Sequence, residues 1–507
     1  MENQVDTKTQ GIAVYNIREF GARGNSHDKD TAAIQKAIDA CAKAGGGMVY
    51  CPPGTYLSGT IFLKSNMQLH LEAGATLLGS PDQADYSRMF QTNTWVGKCN
   101  YDEHLISARR CCNITITGQG TIDGNGRAFF GSKVPGKHYL NVPGWRPGQM
   151  LTFSECRNVT LRDVQLIDAP HWSVWPQGCD GVQIQGVKIV NNREGMNCDG
   201  ITMSCCRDVR ISDCYIDAGD DCIAIYSFSY FMDDVRPCEN VVVTNCVLST
   251  PCNGLRLGVY SDWPIRNCVF SNIVMFNTRT GINLGCSTAT SWRIEHERVT
   301  EHGPMTENIS FQNIVMDTEQ PLRLWIDDCA RAPAGLRHVS ISDVRATASQ
   351  GCYIGSHQHL PIEDVRIQNM QLTLRGQMPD PADTTVPYPF PEYGTYTLPH
   401  GFYCRHVRNL EFHRVGIDWE DARGEWLSAI RAENVQDLML NGVTAGSAPG
   451  RSAPAIHLTN VDGAFVQGCR ATPGTGTFLA TDGLHSAHIQ AAANDLGRAA
   501  KGMQIMQ

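Results

Sequence analysis

Asn158-Val-Thr-Leu-Arg-Asp163, Gly181-Val-Gln-Ile-Gln-Gly186 and Asp208-Val-Arg-Ile-Ser-Asp213 repeat one phrase: a polar or glycine corner, alternating apolar and polar residues, then a second corner. The same phrase starts at Asn113, Asn240 and Asn308, and later at His338, Asp364, Asn409 and, with weaker alternation, Asn434. The starts at 158, 181 and 208 lie 23 and 27 residues apart, those at 338 and 364 lie 26 apart, and those at 409 and 434 lie 25 apart. Longer gaps, such as 364 to 409, carry insertions. A period in the twenties built on period-2 strands predicts a solenoid, in which no coil buries its inward face alone and neighbours share one core. Leucine-rich repeats would need a Leu-x-x-Leu-x-Leu framework and helical repeats a 3.6-residue period; both are absent. What remains is an all-β fold, a right-handed single-stranded parallel β-helix, with like residues of successive coils stacked about 4.8 Å apart.

The repeat turns 507 residues into one long domain. Residues 1–445 read as the solenoid, with 13–75 as its N-terminal cap region, and 446–507 as terminal coils or a C-terminal cap. Asp30 to Ala44 predicts an amphipathic capping helix with Ile34, Ala37, Ile38 and Cys41 on one face, ended by Gly45-Gly46-Gly47. The segment 376–400, with prolines at 379, 381, 387, 389, 391 and 399, reads as an extended insertion packed on the solenoid flank or on a second copy in a homo-oligomer. Forty-two basic against 51 acidic residues give a net charge of −9, which excludes nucleic-acid binding through a basic surface. No apolar run approaches a membrane span. The 21 cysteines are an odd number, include no Cys-x-x-Cys, and read as small buried hydrophobes at strand positions such as Cys206, Cys214, Cys222, Cys238, Cys246 and Cys268. The first residues show no secretion signal, so a cytoplasmic location is expected; a secreted chain trimmed of its signal would read the same.

Core packing does not explain the acids of the middle coils. Asn197-Cys198-Asp199-Gly200 closes one turn and Gly219-Asp220-Asp221-Cys222 the next. The offset is about one coil, so Asp199 should neighbour the Asp220–Asp221 pair on adjacent rungs. Three carboxylates so close repel, and at least one should keep its proton to higher pH, which supplies an acid beside a base. Each Asp taken alone is more often a turn residue. Clustered carboxylates also bind calcium, but acid–base work accounts better for the doubled Asp, and no metal or cofactor is expected.

With these motifs the chain resembles glycoside hydrolase family 28, the polygalacturonase family of pectin-degrading enzymes. The resemblance rests on Tyr15-Asn-Ile-Arg-Glu-Phe-Gly-Ala-Arg-Gly24, Asp30-Thr-Ala-Ala-Ile-Gln-Lys-Ala-Ile38, Pro52-Pro-Gly-Thr-Tyr56, Gly118-Gln-Gly-Thr-Ile-Asp-Gly124, Ala169-Pro-His-Trp-Ser-Val-Trp-Pro176 and the two aspartate motifs. It covers roughly residues 13 to 440. It implies inverting hydrolysis of an α-linked sugar chain, with Asp220 as general acid and Asp199 and Asp221 orienting and deprotonating the attacking water. Inverting chemistry leaves about 6.5–9.5 Å between acid and base. Asn197 would hold the aspartates through its amide.

The pattern departs from the family at its cations. Where the family has Gly-His-Gly the chain has Cys252-Asn253-Gly254, where it has Arg-Ile-Lys the chain has Asn283-Leu284-Gly285, and the lysine expected after Ala-Ile is Tyr226. In the family the histidine supports the acid, and the Arg and Lys pair with the galacturonate carboxylate. Their loss moves the expected substrate from plain polygalacturonan toward a rhamnogalacturonan-type or neutral-sugar oligosaccharide, and cytoplasmic processing of imported oligosaccharides favours an exo mode. Candidate substrate-binding residues are Asn197, Tyr226, Asn253, Arg256, Asn283, Arg323 and Trp325, the last two on one face of an alternating strand. Arg279, Trp172, Trp175, Trp263, Trp292 and His357-Gln-His359 are further candidates. Two other classes stay open: a polysaccharide lyase or epimerase, which would need a basic residue and usually calcium, and a non-catalytic carbohydrate-binding solenoid.

Overall fold

The computed structural model describes residues 12–90, 95–96, 99–100, 102–227, 232, 236–259, 261–286, 303–326, 334–378 and 398–505. Parallel strands from Val14–Asn16 to Ala499–Ile505 join one continuous hydrogen-bonded ladder, each strand paired with its equivalent one coil before and after. In one inward column Val159, Val182, Val209, Val241, Cys268, Ile309, Val339 and Val365 stack in register. All are essentially sealed from solvent. At about 1.5–3 kcal/mol for each fully buried aliphatic side chain, such columns supply the main favourable term of the fold.

The corners explain why Asn, Asp and Gly punctuate the repeat. Asn113, Asn158, Asp208, Asn240, Asn308, His338, Asp364, Asn409 and Asn434 all take left-handed backbone angles, with φ between 52° and 60°. That region costs most residues strain, and Asn and Asp tolerate it. Their side chains then bond the corner of the adjacent coil: Asn113 Nδ2 to Asn66 Oδ1 at 2.7 Å, Asn158 Nδ2 to Asn113 Oδ1 at 3.0 Å, Asn313 Nδ2 to Asn272 Oδ1 at 2.7 Å. Alternation thus fixes the strands, and the corners fix where each strand bends and lock neighbouring coils.

The helix Thr31–Lys43 covers the N-terminal end and buries Ile34, Ala37, Ile38 and Cys41, as the periodicity predicts. Asp30 precedes it, and its carboxylate accepts from the backbone N–H groups of Arg23 and Gly24. The described cysteines are free thiols. Cys156, Cys179, Cys206 and Cys238 each precede a residue paired in register with the next (Arg157, Asp180, Arg207, Glu239), so they form one buried column. Of the proline-rich segment, residues 379–397 lie outside the described residues, as does Trp292. Among the described residues no helix is long and apolar enough to cross a membrane.

Candidate active site

The strands Val174–Gln177, Ile201–Ser204, Ile223–Tyr226 and Asn253–Leu257 run parallel, with Val174, Ile201, Ile223 and Leu255 in one inward column. Asp199, Asp221 and Asn253 each lie two residues before a member of that column, so they stack on successive coils. Backbone bonds lock the stack: Gly200 N donates to Asp221 O and Cys222 N to Asn253 O, both at 2.9 Å. The approach requires the glycines of both motifs. A Cβ on Gly200 would lie 2.4 Å from Cys222 O, and one on Gly219 would lie 2.2 Å from Asn192 O. Asp220 sits in the turn between, with its carbonyl taken by Thr250 Oγ1, whose oxygen also receives Cys252 N at 3.0 Å.

The three carboxylates have different environments. Asp199 is 3% exposed and Asp221 1%, whereas Asp220 keeps part of its surface open. Thr202 Oγ1 donates to Asp199 Oδ2 at 2.9 Å. Burial pushes the Asp199 carboxyl well above the usual range, and the charges of Asp220 and Asp221 push it the same way. Burial, then the Asp221 charge, raises Asp220 to about 6; the Cys252 thiol, Arg256 and Arg279 hold it from going higher. Asp221 is the best-supported of the three. Its Oδ1 accepts from Asn253 Nδ2 at 2.5 Å and its Oδ2 from Arg256 Nη1 at 2.9 Å, with Tyr226 Oη at 3.5 Å from the same oxygen. The Arg256 guanidinium also lies over the Tyr226 ring, 5.9 Å from its centre.

The residues expected to touch sugar divide into two groups. Arg256 and Tyr226 converge on Asp221. Asn253, Asn283 and Trp325 turn their polar atoms to one another: Asn283 Nδ2 donates to Asn253 Oδ1 and Trp325 Nε1 to Asn283 Oδ1, both at 2.9 Å. Trp325 is sealed and both asparagines are 4% exposed, so their polar atoms form an inner line that ends on Asp221. Arg323 and Trp325 do share a face, the guanidinium 5.1 Å from the ring centre, and Arg323 is 7% exposed. Asn197 takes a left-handed conformation, φ 59°, and its Oδ1 accepts from Arg146 Nη2 at 3.0 Å.

Arg146 was not singled out by sequence reasoning. It is fully buried and also donates to the carbonyls of Pro170 and Met196, so one guanidinium fastens the loop that carries Asn197 and Asp199. Its setting, Val142-Pro-Gly-Trp-Arg-Pro-Gly148, lies outside the repeat and carries no pattern that marks it. Thr202, three residues after Asp199, was also missed. Trp172 and Trp175 form an edge-to-face pair with centres 5.6 Å apart on the coil before Asp199. Arg279 reaches the Cys252 sulfur at 3.1 Å, placing a second cation beside Asp220. Trp263 is partly buried, and its backbone N–H donates to Ser227 O. His357 and His359 lie together at the turn after the strand Cys352–Gly355, several coils from the aspartates.

Asp220, Asp221 and Cys252 offer ligand atoms within 4.8 Å of one another, the one such group among the described residues. Two carboxylates and a thiol fall short of the six to eight oxygens calcium takes, and Asp221 is already engaged by an arginine and an asparagine. The cluster is better matched to proton transfer than to a hard cation.

Comparison with known proteins fits this geometry. The family model for glycosyl hydrolases family 28 matches residues 63–385. A polygalacturonase of Malus domestica is 25% identical over 390 residues, 73% of this chain and 78% of the relative. A probable polygalacturonase of Vitis vinifera is 28% identical over 282 residues, and the match spans about half of each chain, 52% and 55%. An exo-poly-α-D-galacturonosidase of Dickeya chrysanthemi is 39% identical over 132 residues, 24% of this chain and 22% of the relative. Among solved structures, a family 28 exopolygalacturonase of Yersinia enterocolitica aligns with TM-score 0.65 at 21% identity over 84% of this chain and 78% of that one. An exopolygalacturonase of Thermotoga maritima aligns with TM-score 0.59 at 23% identity over 71% and 87%. These likenesses show the fold, a right-handed parallel β-helix.

Proposed function

The chain belongs to glycosyl hydrolases family 28, and from that premise we propose that it hydrolyses an α-glycosidic bond in pectin-derived oligosaccharides with inversion at the anomeric carbon. The observation that carries the reading is the stack of Asp199 and Asp221 on adjacent coils with a half-open Asp220 between them, its carboxyl raised to about 6. A carboxyl that holds its proton to about pH 6 and faces solvent is suited to protonate the leaving glycosidic oxygen. Asp221, supported on both oxygens, takes the proton of the attacking water. Asp199, whose carboxyl burial pushes up, orients that water. Turnover should then decline as pH rises through about 6, where Asp220 loses its proton.

The position of the cations supports a finer substrate reading. The guanidinium of Arg256 is committed to Asp221, and Asn283 and Tyr226 stand where the family holds cations for a uronate. We therefore favour a rhamnogalacturonan-type or otherwise mixed pectic oligosaccharide, attacked from one end, over plain polygalacturonan. Arg279, beside Asp220, is the specific observation that keeps a uronate at the scissile bond as the second reading. A panel of defined pectic oligosaccharides incubated with the wild-type protein and with Asp220→Asn tests both. The expected result is release of saturated products from mixed pectic oligomers by the wild type alone. An unsaturated, ultraviolet-absorbing product would mean a lyase, and an equally active Asp220→Asn would remove the assignment.

A further inference from the structure

A line of three hydrogen bonds runs through the sheet to Asp221. Trp325 Nε1 donates to Asn283 Oδ1 (2.9 Å), Asn283 Nδ2 to Asn253 Oδ1 (2.9 Å), and Asn253 Nδ2 to Asp221 Oδ1 (2.5 Å). An asparagine amide has nearly the same shape either way round, so only its partners decide which end is oxygen and which is nitrogen. An indole N–H donates and never accepts. Trp325 therefore fixes the Asn283 oxygen toward itself, which turns the Asn283 amine to Asn253, which turns the Asn253 amine to Asp221. A proton on Asp221 Oδ1 would face an N–H, so the line accommodates that oxygen only as an acceptor.

The indole is itself held firmly. It is fully buried, packed with Ala224, Tyr226, Val259, Tyr353, Leu398 and Tyr403 on the outer side of the sheet. It lies over Gly285, where a Cβ would come within 2.7 Å of the ring. Leu284 is in register with Leu324 and Gly285 with Trp325, so this contact is set by the coil pairing.

We infer that Trp325, three coils from Asp221, is a positioning residue that acts through Asn283 and Asn253 to fix the orientation and acceptor state of the Asp221 carboxylate. The inference rests on the role of Asp221 proposed above. The other ionisable groups facing Asp221 are Asp199, Asp220, Cys222, Tyr226, Cys252, Arg256 and Arg279; none belongs to the line, and because Tyr226 packs in the same cluster as Trp325, a change at Asn283 is needed to separate the line from Tyr226.

The experiment uses the full-length protein, steady-state hydrolysis of a pectic oligosaccharide across pH, and thermal melting of every variant. Trp325→Phe removes the terminal donor. Asn283→Asp keeps the shape and the acceptor for Trp325 and, ionised, has no proton to donate to Asn253. Each should lower kcat about tenfold, the worth of one hydrogen bond to a carboxylate, with KM within about twofold. Each should also move the acid limb of the kcat profile to higher pH. The double variant should lose no more than the worse single one, because both cut one line. An unchanged kcat and acid limb in either folded variant, or losses that add, would overturn the inference. If Trp325→Phe does not fold, Asn283→Asp decides by its own kcat and acid limb. Asp221→Asn separates the two levels: if it turns over normally, the assignment of Asp221 fails; if it is inactive while the relay variants behave as wild type, the relay alone fails.

Discussion

The sheet that carries Asp199 and Asp221 continues to the coils of Arg431 and His457, and its two halves handle charge in opposite ways. In the C-terminal coils each acid has its own donors. Tyr403 Oη and Arg431 Nε donate to Glu433 at 2.7 and 2.9 Å, and Asp482 lies between Thr459 and His457, 2.9 Å from the imidazole. Burial opposes the charge on Asp482, but hydrogen bonds from Thr459 and His457 outweigh it and draw the carboxyl below its usual value. In the middle coils Asp199 and Asp220 gather around Asp221 and its ion pair with Arg256, with Arg279 further out, and Asp199 and Asp220 rise instead. Strands pair parallel and in register in both halves. The ratio of cations to acids, set against the depth of burial, separates a neutralised structural stripe from one that can exchange protons.

The largest effect should come from removing the proton donor. Asp220→Asn is expected to lower kcat about a thousandfold while leaving the circular dichroism spectrum unchanged. It should also raise the melting temperature at pH 7, by roughly 2 °C. The folded carboxyl titrates at about 6 against an ordinary value of 3.8, so the fold disfavours its charged form. Stability present below about pH 4 is lost as pH rises to about 6, and an amide abolishes that loss. A melting temperature that falls at pH 7 would mean that Asp220 contributes to the fold rather than straining it.

The next test sets the two halves against each other. Arg256→Met leaves Asp221 buried without its guanidinium and should cost about 3–5 kcal/mol in denaturant unfolding, with most of the turnover. Arg431→Met removes a more solvated partner of Glu433, whose side chain is 25% exposed, and should cost about 1 kcal/mol or less. Turnover should remain within about twofold of wild type. Equal costs at the two positions would erase the distinction between the halves. The smallest effect on turnover is expected at the corners: Asn308→Ala places alanine at φ 57° and should cost about 1–2 kcal/mol of stability with kcat unchanged. Asn308→Gly should recover most of that loss, since glycine takes this angle without strain.

The solenoid was legible because its signals are local. Alternation over six residues makes a strand, and Asn, Asp or Gly at each end makes a left-handed corner, so Asn158 or Asp208 can be read without knowing its neighbours in space. The helix over Thr31–Lys43 was legible for the same reason. Asp199, Asp220 and Asp221 could be brought together because their offset equals one coil. The support of Asp221 could not. Asn253, Asn283 and Trp325 are separated by 30 and 42 residues, across connections of unequal length, and which atoms they offer one another depends on amide orientations set only after the coils dock. Arg146 reaches Pro170, Met196 and Asn197 from a loop outside the repeat, where no period constrains it. Charges lost from family positions were visible in the sequence; that Arg256 is committed to a carboxylate within the protein was not.

The central claim is that this acid-rich stack performs a single displacement. Proton NMR on the first minutes of hydrolysis of an α-linked pectic oligosaccharide, before mutarotation, tests it most directly. The account predicts that the new reducing end appears first as the β anomer; an α anomer appearing first would contradict it.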